Sequence, residues 1–370
     1  MAVGTDADAV LDHPAADTEG RELLTELVSI PSVSGNEREA AEALAAFFER
    51  HDREVWLDDI GNVRAPGDDT ILLTSHIDTV PGDIPVEIKD GEAGPELWGR
   101  GSVDATGPLA AMAIAAVETG ASFVGVVGEE STSRGAWHLI ENREAPDAII
   151  NGEPSGWDGI TLGYRGLLEG TYVATSESGH TSRPDPNAIQ HAMSWWERVE
   201  DTFEPDEWIP VFEQVTTKPV EFEGGISVDG LSMESTMEFQ LRVPPERTPE
   251  EVRELSDAEL ETGTVNWTEF IPAVMTSPRS EVARLFRVAI RKQGGDPRLL
   301  RKTGTADMNI YAEEWGCPIV SYGPGDSNLD HTPHEHLPLS AFDHSVDVLI
   351  EVCEQLGVET RDSERSEPTE

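Results

Sequence analysis

Three times along this chain, a short apolar run that reads as a buried strand breaks directly into ionisable side chains. ILLTS (71–75) runs into His76 and Asp78, SFVGVVG (122–128) into Glu129 and Glu130, and DAIIN (147–151) into Glu153 two residues later. Short runs without polar alternation are the mark of strands covered on both faces. Such strands form open α/β sheets, whose ligand crevice lies outside the carboxyl ends of the strands. The fold is therefore constrained to gather those groups at one edge of a sheet, and the residue types point to a two-metal hydrolase.

The remaining pattern supplies the helices for that sheet. A fourth strand is expected at 318–322 (PIVSY), with helices near 19–30, 107–118, 133–142, 280–293 and 340–356. A further helix lies in NEREAAEALAAFFERH, with Asn36 as its N-cap. Strands alternating with helices argue an α/β sheet flanked by helices. From about 164 to 270 the character changes to long, polar-alternating strands, GLLEGTYVATS and STMEFQLRVP, each leading toward a helix, which predicts a small α+β insert. Because metal-compatible residues stand on both sides of it, the sheet domain is expected to be discontinuous, over 19–163 and 271–358, around an inserted domain at 164–270. Residues 1–18 and the tail 359–370 are polar and poor in large apolar groups, and are expected to be loose.

Composition narrows the partners. The 370 residues carry 72 Asp and Glu against 26 Lys and Arg, a formal net charge of −46. A charge of that size repels itself unless salt screens it, and it reads as a halophile's surface. It disfavours nucleic acid and anionic membranes as partners. Cys317 and Cys353 are two thiols among apolar neighbours, too few for a disulfide framework, and are expected to be buried and reduced. The N-terminal segment has no basic and apolar leader pattern, and no run reaches the roughly 18 apolar residues of a spanning helix, so the expected compartment is the cytoplasm.

Each candidate residue has a plainer alternative. A lone HxD such as His76 and Asp78 is often a cap or turn pair, although Asp78 could also turn back to orient the imidazole. Asp104, in GRGSVDATGPLAAM, could cap the helix that follows it. An isolated Glu-Glu pair is ordinarily solvated surface, yet Glu129 and Glu130 close a buried strand, where neighbouring carboxylates point in different directions and suit one ligand and one general base. The segment GPGDSNLDHTPHEHLPLS offers His331, His334 and His336, and chemistry alone does not choose among them.

Taken together, LVSIPSVSGNE, SHIDTVPG, GRGSVDATGPLAAM, GEE, NGEPSG, SGHTSRP, LRVPP and DHTPHEHL resemble the M20 metallopeptidase and deacylase family from about 20 to 357. The resemblance implies a zinc-peptidase-like catalytic domain with a mixed sheet flanked by helices, and an inserted ferredoxin-like lid and dimerisation domain. It implies two zinc ions per subunit, with cobalt as a substitute. His76 and Glu153 would bind one metal, Glu130 and His331 the other, and Asp104 would bridge them. Asp78 would support His76, and Glu129 would be the general base that takes a proton from the attacking water and returns it to the leaving amine. The resemblance also implies that the C-terminal ligand is the His that opens an HxxxE pattern, which here is His331 before Glu335 rather than His334 or His336. His180 would reach a neighbouring subunit's site in a homodimer to stabilise the oxyanion.

Within the family, GEPSGWDGITLGYRG, HTSRP and KTGTADMN are similar to the hydrolases that release lysine or ornithine from the C-terminal glutamate of a small acidic amino-group carrier protein, in lysine and arginine biosynthesis. The alternatives are an N-acyl amino-acid deacylase, a small-peptide metallopeptidase, or an inactive binding protein on the same fold. The inactive reading is disfavoured because every expected ligand position is filled. Thr106 stands where many members carry Lys, which leaves the metal set intact but alters a substrate or loop contact. Arg165, Arg183 and Arg242 are candidates for bidentate carboxylate binding.

Overall fold

In a computed structural model the described residues are 10–357 apart from Asp12, so most of the expected loose ends, residues 1–9 and the tail 359–370, lie outside them. In chain order the elements begin with α1 (Glu19–Val28), α2 (Arg38–Arg50), β1 (Trp56–Leu57), β2 (Val63–Ala65), β3 (Asp68–His76), β4 (Glu87–Gly91), β5 (Gly94–Trp98) and α3 (Thr106–Thr119). Then come β6 (Ala121–Val126), α4 (Arg134–Glu141), β7 (Ile149–Gly152), β8 (Gly159–Tyr164), β9 (Gly166–Glu177), α5 (Ala188–Phe203), β10 (Thr216–Ile226) and β11 (Ser232–Val243). The chain continues with α6 (Pro249–Ala258), β12 (Thr264–Ile271), β13 (Val274–Met275), α7 (Glu281–Lys292), β14 (Arg298–Lys302), α8 (Asp307–Trp315), β15 (Ile319–Ser321), β16 (His336–Pro338) and α9 (Leu339–Leu356).

Two compact units result: residues up to Leu162 with Thr276–Leu300 and the chain from Ile310 onward, and Gly163–Met275 with Arg301–Asn309. In the first unit the sheet runs β1-β2-β6-β3-β7-β15-β8, with β6, β3, β7 and β15 parallel to their neighbours in that stretch and β1, β2 and β8 antiparallel. Every residue of β6, β7, β8 and β15 is buried, the burial of a sheet covered on both faces. Helix α3, TGPLAAMAIAAVET, is apolar nearly all round and correspondingly buried. It stops at Gly120, whose φ of 86° gives the left-handed C-terminal turn that glycine adopts without a steric penalty. A smaller three-stranded sheet, β16-β5-β4, brings the chain after His331 beside the loop that carries Asp104.

The second unit has the order β-α-β-β-α-β, and its antiparallel sheet runs β10-β11-β9-β12. Along β11 burial alternates, with Ser235, Met237, Phe239, Leu241 and Val243 turned inward onto a core that includes Tyr172, Trp195 and Trp196. β10 is an edge strand and is almost wholly exposed.

Three local expectations are corrected. Asn36 does not cap α2: the cap position is Glu37, which makes no side-chain capping bond because its buried carboxylate instead accepts from Arg134 Nη2 at 2.9 Å. The two thiols differ, since Cys353 is buried but Cys317 is only half-buried. The strands β4, β5 and β16, too short and polar to show a clear period, were not foreseen.

Candidate active site

The three parallel neighbours β6, β3 and β7 end together, with His76 opposite Val126 and Ser75 opposite Gly152. His76 is the last residue of β3, Glu129 and Glu130 follow β6, and Glu153 follows β7, so four of the expected residues emerge at one edge of the sheet. Asp104 arrives from the β5–α3 loop. Gly101 turns that loop at a φ of 82°, and a Cβ there would stand 2.7 Å from Thr79 Cγ2 and 2.8 Å from Thr106 Oγ1. His331 is itself in the left-handed region, with φ 60°, an arrangement that costs a non-glycine residue energy and tends to be retained where function needs it.

The donor geometry is that of a cation site. Ligand atoms of His76, Asp104 and Glu130 all lie within 4.8 Å of one another. Asp104 Oδ1 is 3.3 Å from His76 Nε2 and its Oδ2 is 3.2 Å from His331 Nε2, so the two carboxylate oxygens face two different imidazoles. His331 Nε2 is also 3.0 Å from Glu130 Oε1. His76 Nδ1 lies 2.8 Å from the carbonyl oxygen of Asp78, which can only accept, so Nδ1 carries a proton; Nε2, while protonated, donates to Asp104 Oδ1, and its loss of that proton leaves the neutral tautomer with the Nε2 lone pair free. That tautomer is the one a metal ligand needs, and imidazole with carboxylate is a donor set that divalent zinc accepts.

The electrostatics agree. Burial would depress the His76 pKa, but the hydrogen bond with Asp104 and the charges of Glu129 and Glu153 hold it well above the ordinary imidazole value. Burial likewise pushes Asp104 up, and the hydrogen bonds with His331 and His76 overcome it and hold the carboxyl well below the usual range. Hydrogen bonds to Asp104 and then Glu130 raise His331 to about 10. Both histidines are thus drawn toward the cationic form by a negative field that a divalent ion would satisfy equally well.

Around these groups lies a scaffold of backbone donors. The expected contact between the Asp78 carboxylate and the imidazole is 3.7 Å, beyond hydrogen-bond length, and the ring is oriented by the Asp78 carbonyl instead. The carboxylate serves the backbone: Oδ1 accepts the Glu129 N–H at 3.0 Å, and Oδ2 accepts the Glu130 N–H at 3.1 Å and the Ser34 hydroxyl at 2.7 Å. One buried acid therefore fixes the strand end that carries both glutamates. Glu335, also buried, accepts the N–H groups of Val103 at 2.9 Å and Asp104 at 3.1 Å on Oε1 and pairs through Oε2 with Arg100 at 2.7 Å. Sequence reasoning gave Ser34 and Arg100 no role; the break PSVSG was the available signal for Ser34, and nothing in spacing marks Arg100.

Of the three late histidines, it is His331 that stands at Asp104 and Glu130. His336 stacks on Trp98 with ring centroids 4.4 Å apart, and His334 is exposed. His180 lies in the second unit, exposed in a local turn in which its Nδ1 is 2.8 Å from Ser182 Oγ and accepts the Ser182 N–H at 3.2 Å. Also in that unit, Arg165 is buried and donates to the carbonyls of Thr303, Val211 and Gln214 and to Thr216 Oγ1. Arg242 donates to Thr305 Oγ1, and Arg183 is exposed.

The family model for peptidase family M20/M25/M40 matches residues 72–355. The chain belongs to that family. It is a hydrolase of the M20 class, and a divalent metal ion is the cofactor such a membership implies. A Deinococcus radiodurans protein named LysW-lysine hydrolase is 38% identical, covering 91% of this chain and 96% of its own. A Thermococcus kodakarensis protein, named provisionally as a LysW-lysine/LysW-ornithine hydrolase, is 40% identical over 93% of this chain and 94% of its own. Among solved structures, aminopeptidase PepT from Bacillus cereus superposes with a TM-score of 0.74 at 21% identity, covering 91% of this chain and 99% of its own, which shows the M20 fold alone. No helix among the described residues is long and apolar enough to cross a membrane.

Proposed function

We propose that this protein is a dizinc amidohydrolase of the cytoplasm that releases lysine, ornithine or both from the C-terminal glutamate of a small acidic amino-group carrier protein in lysine and arginine biosynthesis. The observation that carries the chemistry is the placement of Asp104, with one oxygen toward His76 and the other toward His331. The relatives named for LysW-linked lysine and ornithine support the substrate. His76 and Glu153 would hold one metal, Glu130 and His331 the second, and Asp104 would contribute to both. Divalent ions bound there would supply Lewis acidity toward an amide carbonyl and a neighbouring water.

The chain's own residues do the rest. Glu129 accepts a proton from the attacking water, the carbonyl carbon–nitrogen bond breaks, and Glu129 returns that proton to the departing α-amino group. Asp78 holds the backbone of Glu129 and Glu130 so that the base and the ligand beside it diverge correctly. The inserted unit serves as lid and dimerisation domain, and His180 donates to the oxyanion in a second subunit's site.

The test is an assay of purified protein, supplied with zinc or cobalt, on LysW-lysine, LysW-ornithine and N-acetylornithine. Release of lysine or ornithine from LysW is expected. Turnover of the acetyl compound alone would sink the carrier reading and leave a free N-acyl amino-acid deacylase.

A further inference from the structure

The acidic composition of this chain is reversed over residues 279–298. Residues 279–298 contain six basic side chains, Arg279, Arg284, Arg287, Arg291, Lys292 and Arg298, against two acids, Glu281 and Asp296, although acids outnumber bases 72 to 26 over the whole chain. Helix α7 accounts for most of the segment. Its inner face, Val282, Ala283, Leu285, Phe286, Ala289 and Ile290, is buried in the core of the first unit. The outer face is consequently left to Arg284, Arg287, Val288 and Arg291, residues three and four apart that stand on one side of the helix. Val288 is 42% exposed between two exposed arginines.

Local acids neutralise this face only in part. Arg284 has Glu281 at 3.5 Å and Lys292 has Glu351 at 2.6 Å, both surface pairs of small worth. Arg287 donates to the carbonyls of Ala283 and Pro278, and Arg291 to that of Arg287, and among the described residues neither makes an ion pair with an acid. Beyond α7, Arg298 pairs with Asp158 and donates to the Ser155 carbonyl at 3.4 Å, on the loop that follows Glu153.

We propose that the exposed arginine face of α7 is the docking surface for an acidic protein, the carrier of the amide substrate, a deepening that rests on the reading under Proposed function. A cationic stripe on an otherwise anionic surface confines a negatively charged partner to one approach, because like charge repels it elsewhere. The exposed apolar Val288 at its centre gives the encounter a contact that salt does not screen.

The experiment pairs wild type with R284E/R291E and with the neutral R284Q/R291Q, all at exposed positions away from the metal set, with thermal melting to check folding. Two readouts are taken over rising ionic strength: binding of fluorescently labelled, unloaded LysW, and kcat/KM on LysW-lysine beside the isopeptide in which the lysine α-amino group is joined to the side chain of free glutamate. The expected result is at least a tenfold loss of LysW binding and of kcat/KM on LysW-lysine for the charge reversal, a smaller loss for the neutral pair, a flatter salt dependence in both, and unchanged turnover of the isopeptide. Wild-type binding retained by R284E/R291E overturns the docking face whether or not LysW-lysine is cleaved. Failure of wild type to cleave LysW-lysine while binding unloaded LysW through this face would overturn the proposed reaction and keep the surface. DNA bound as tightly as LysW, and lost in the same variants, would overturn the assignment to an acidic protein.

Discussion

The two units of this protein treat their polar side chains in opposite ways. In the first, strands buried on both faces end in acids and histidines, each held by backbone donors or by its neighbours: Asp78 takes two N–H groups and a hydroxyl, and Glu335 two N–H groups and a guanidinium. In the second, the sheet buries one face, β10 is exposed along almost its whole length, and His180 is satisfied within its own turn. Rigid strand ends can hold reacting groups to a fraction of an ångström. A sheet with one wet face and an open edge is suited to contact with another molecule.

The strongest way to break that contrast is at Glu129, the proposed base. Glu129→Ala should lower kcat by about 10³-fold, within the usual range for a general base, while metal stoichiometry by calorimetry stays at the wild-type value. Retention of most activity would remove Glu129 from the mechanism. His180→Ala sharpens the contrast from the other side: as an oxyanion donor its loss should reduce kcat by about 10²-fold with metal affinity unchanged. An unaltered kcat would confine catalysis to the first unit.

A smaller effect is expected from Glu335→Ala, which frees the Asp104 loop and should weaken metal binding by about 10-fold to 100-fold, with Glu335→Gln intermediate because its carbonyl still accepts the two N–H groups. Metal titration against a competing chelator reads this directly. The smallest effect concerns pH. His331 in the metal-free fold is raised from 6.5 to about 10, so its protonated form stabilises that fold fully below about 6.5 and the contribution is lost as pH rises through about 10. Melting of chelator-treated protein from pH 6 to 10 should show the decline, and metal-loaded protein should lack it, since the ion replaces the proton. His331 is half-exposed, which keeps the shift in melting temperature modest.

How much was legible follows from the same contrast. The runs before His76, Glu129 and Glu153 were readable because burial on both faces removes polar alternation, and period and burial are properties of local sequence. Two long alternating strands of the insert, β9 and β11, were readable for the converse reason, whereas β10 and β12 beside them were not foreseen. The hairpin β4–β5 and β16 escaped because strands of three to five residues carry too little pattern. Asn36 misled because a capping preference competes with tertiary demands, here the ion pair between Glu37 and Arg134.

By itself the sequence determined which side chains could carry the chemistry, that they follow buried strands, and that a second α+β unit interrupts the sheet. Only the tertiary structure decided that a backbone carbonyl rather than the Asp78 carboxylate orients His76 and that Glu335 holds the Asp104 loop, whereas His331, which the family resemblance had picked out over His334 and His336, is found at Asp104 and Glu130. The arginines of α7 were visible as letters, but their standing together on an exposed face emerged when the opposite face was buried. The physical reason is common to all of these. Periodicity is local and survives in one dimension, whereas a hydrogen bond between residues two hundred positions apart depends on distances that the packed fold sets.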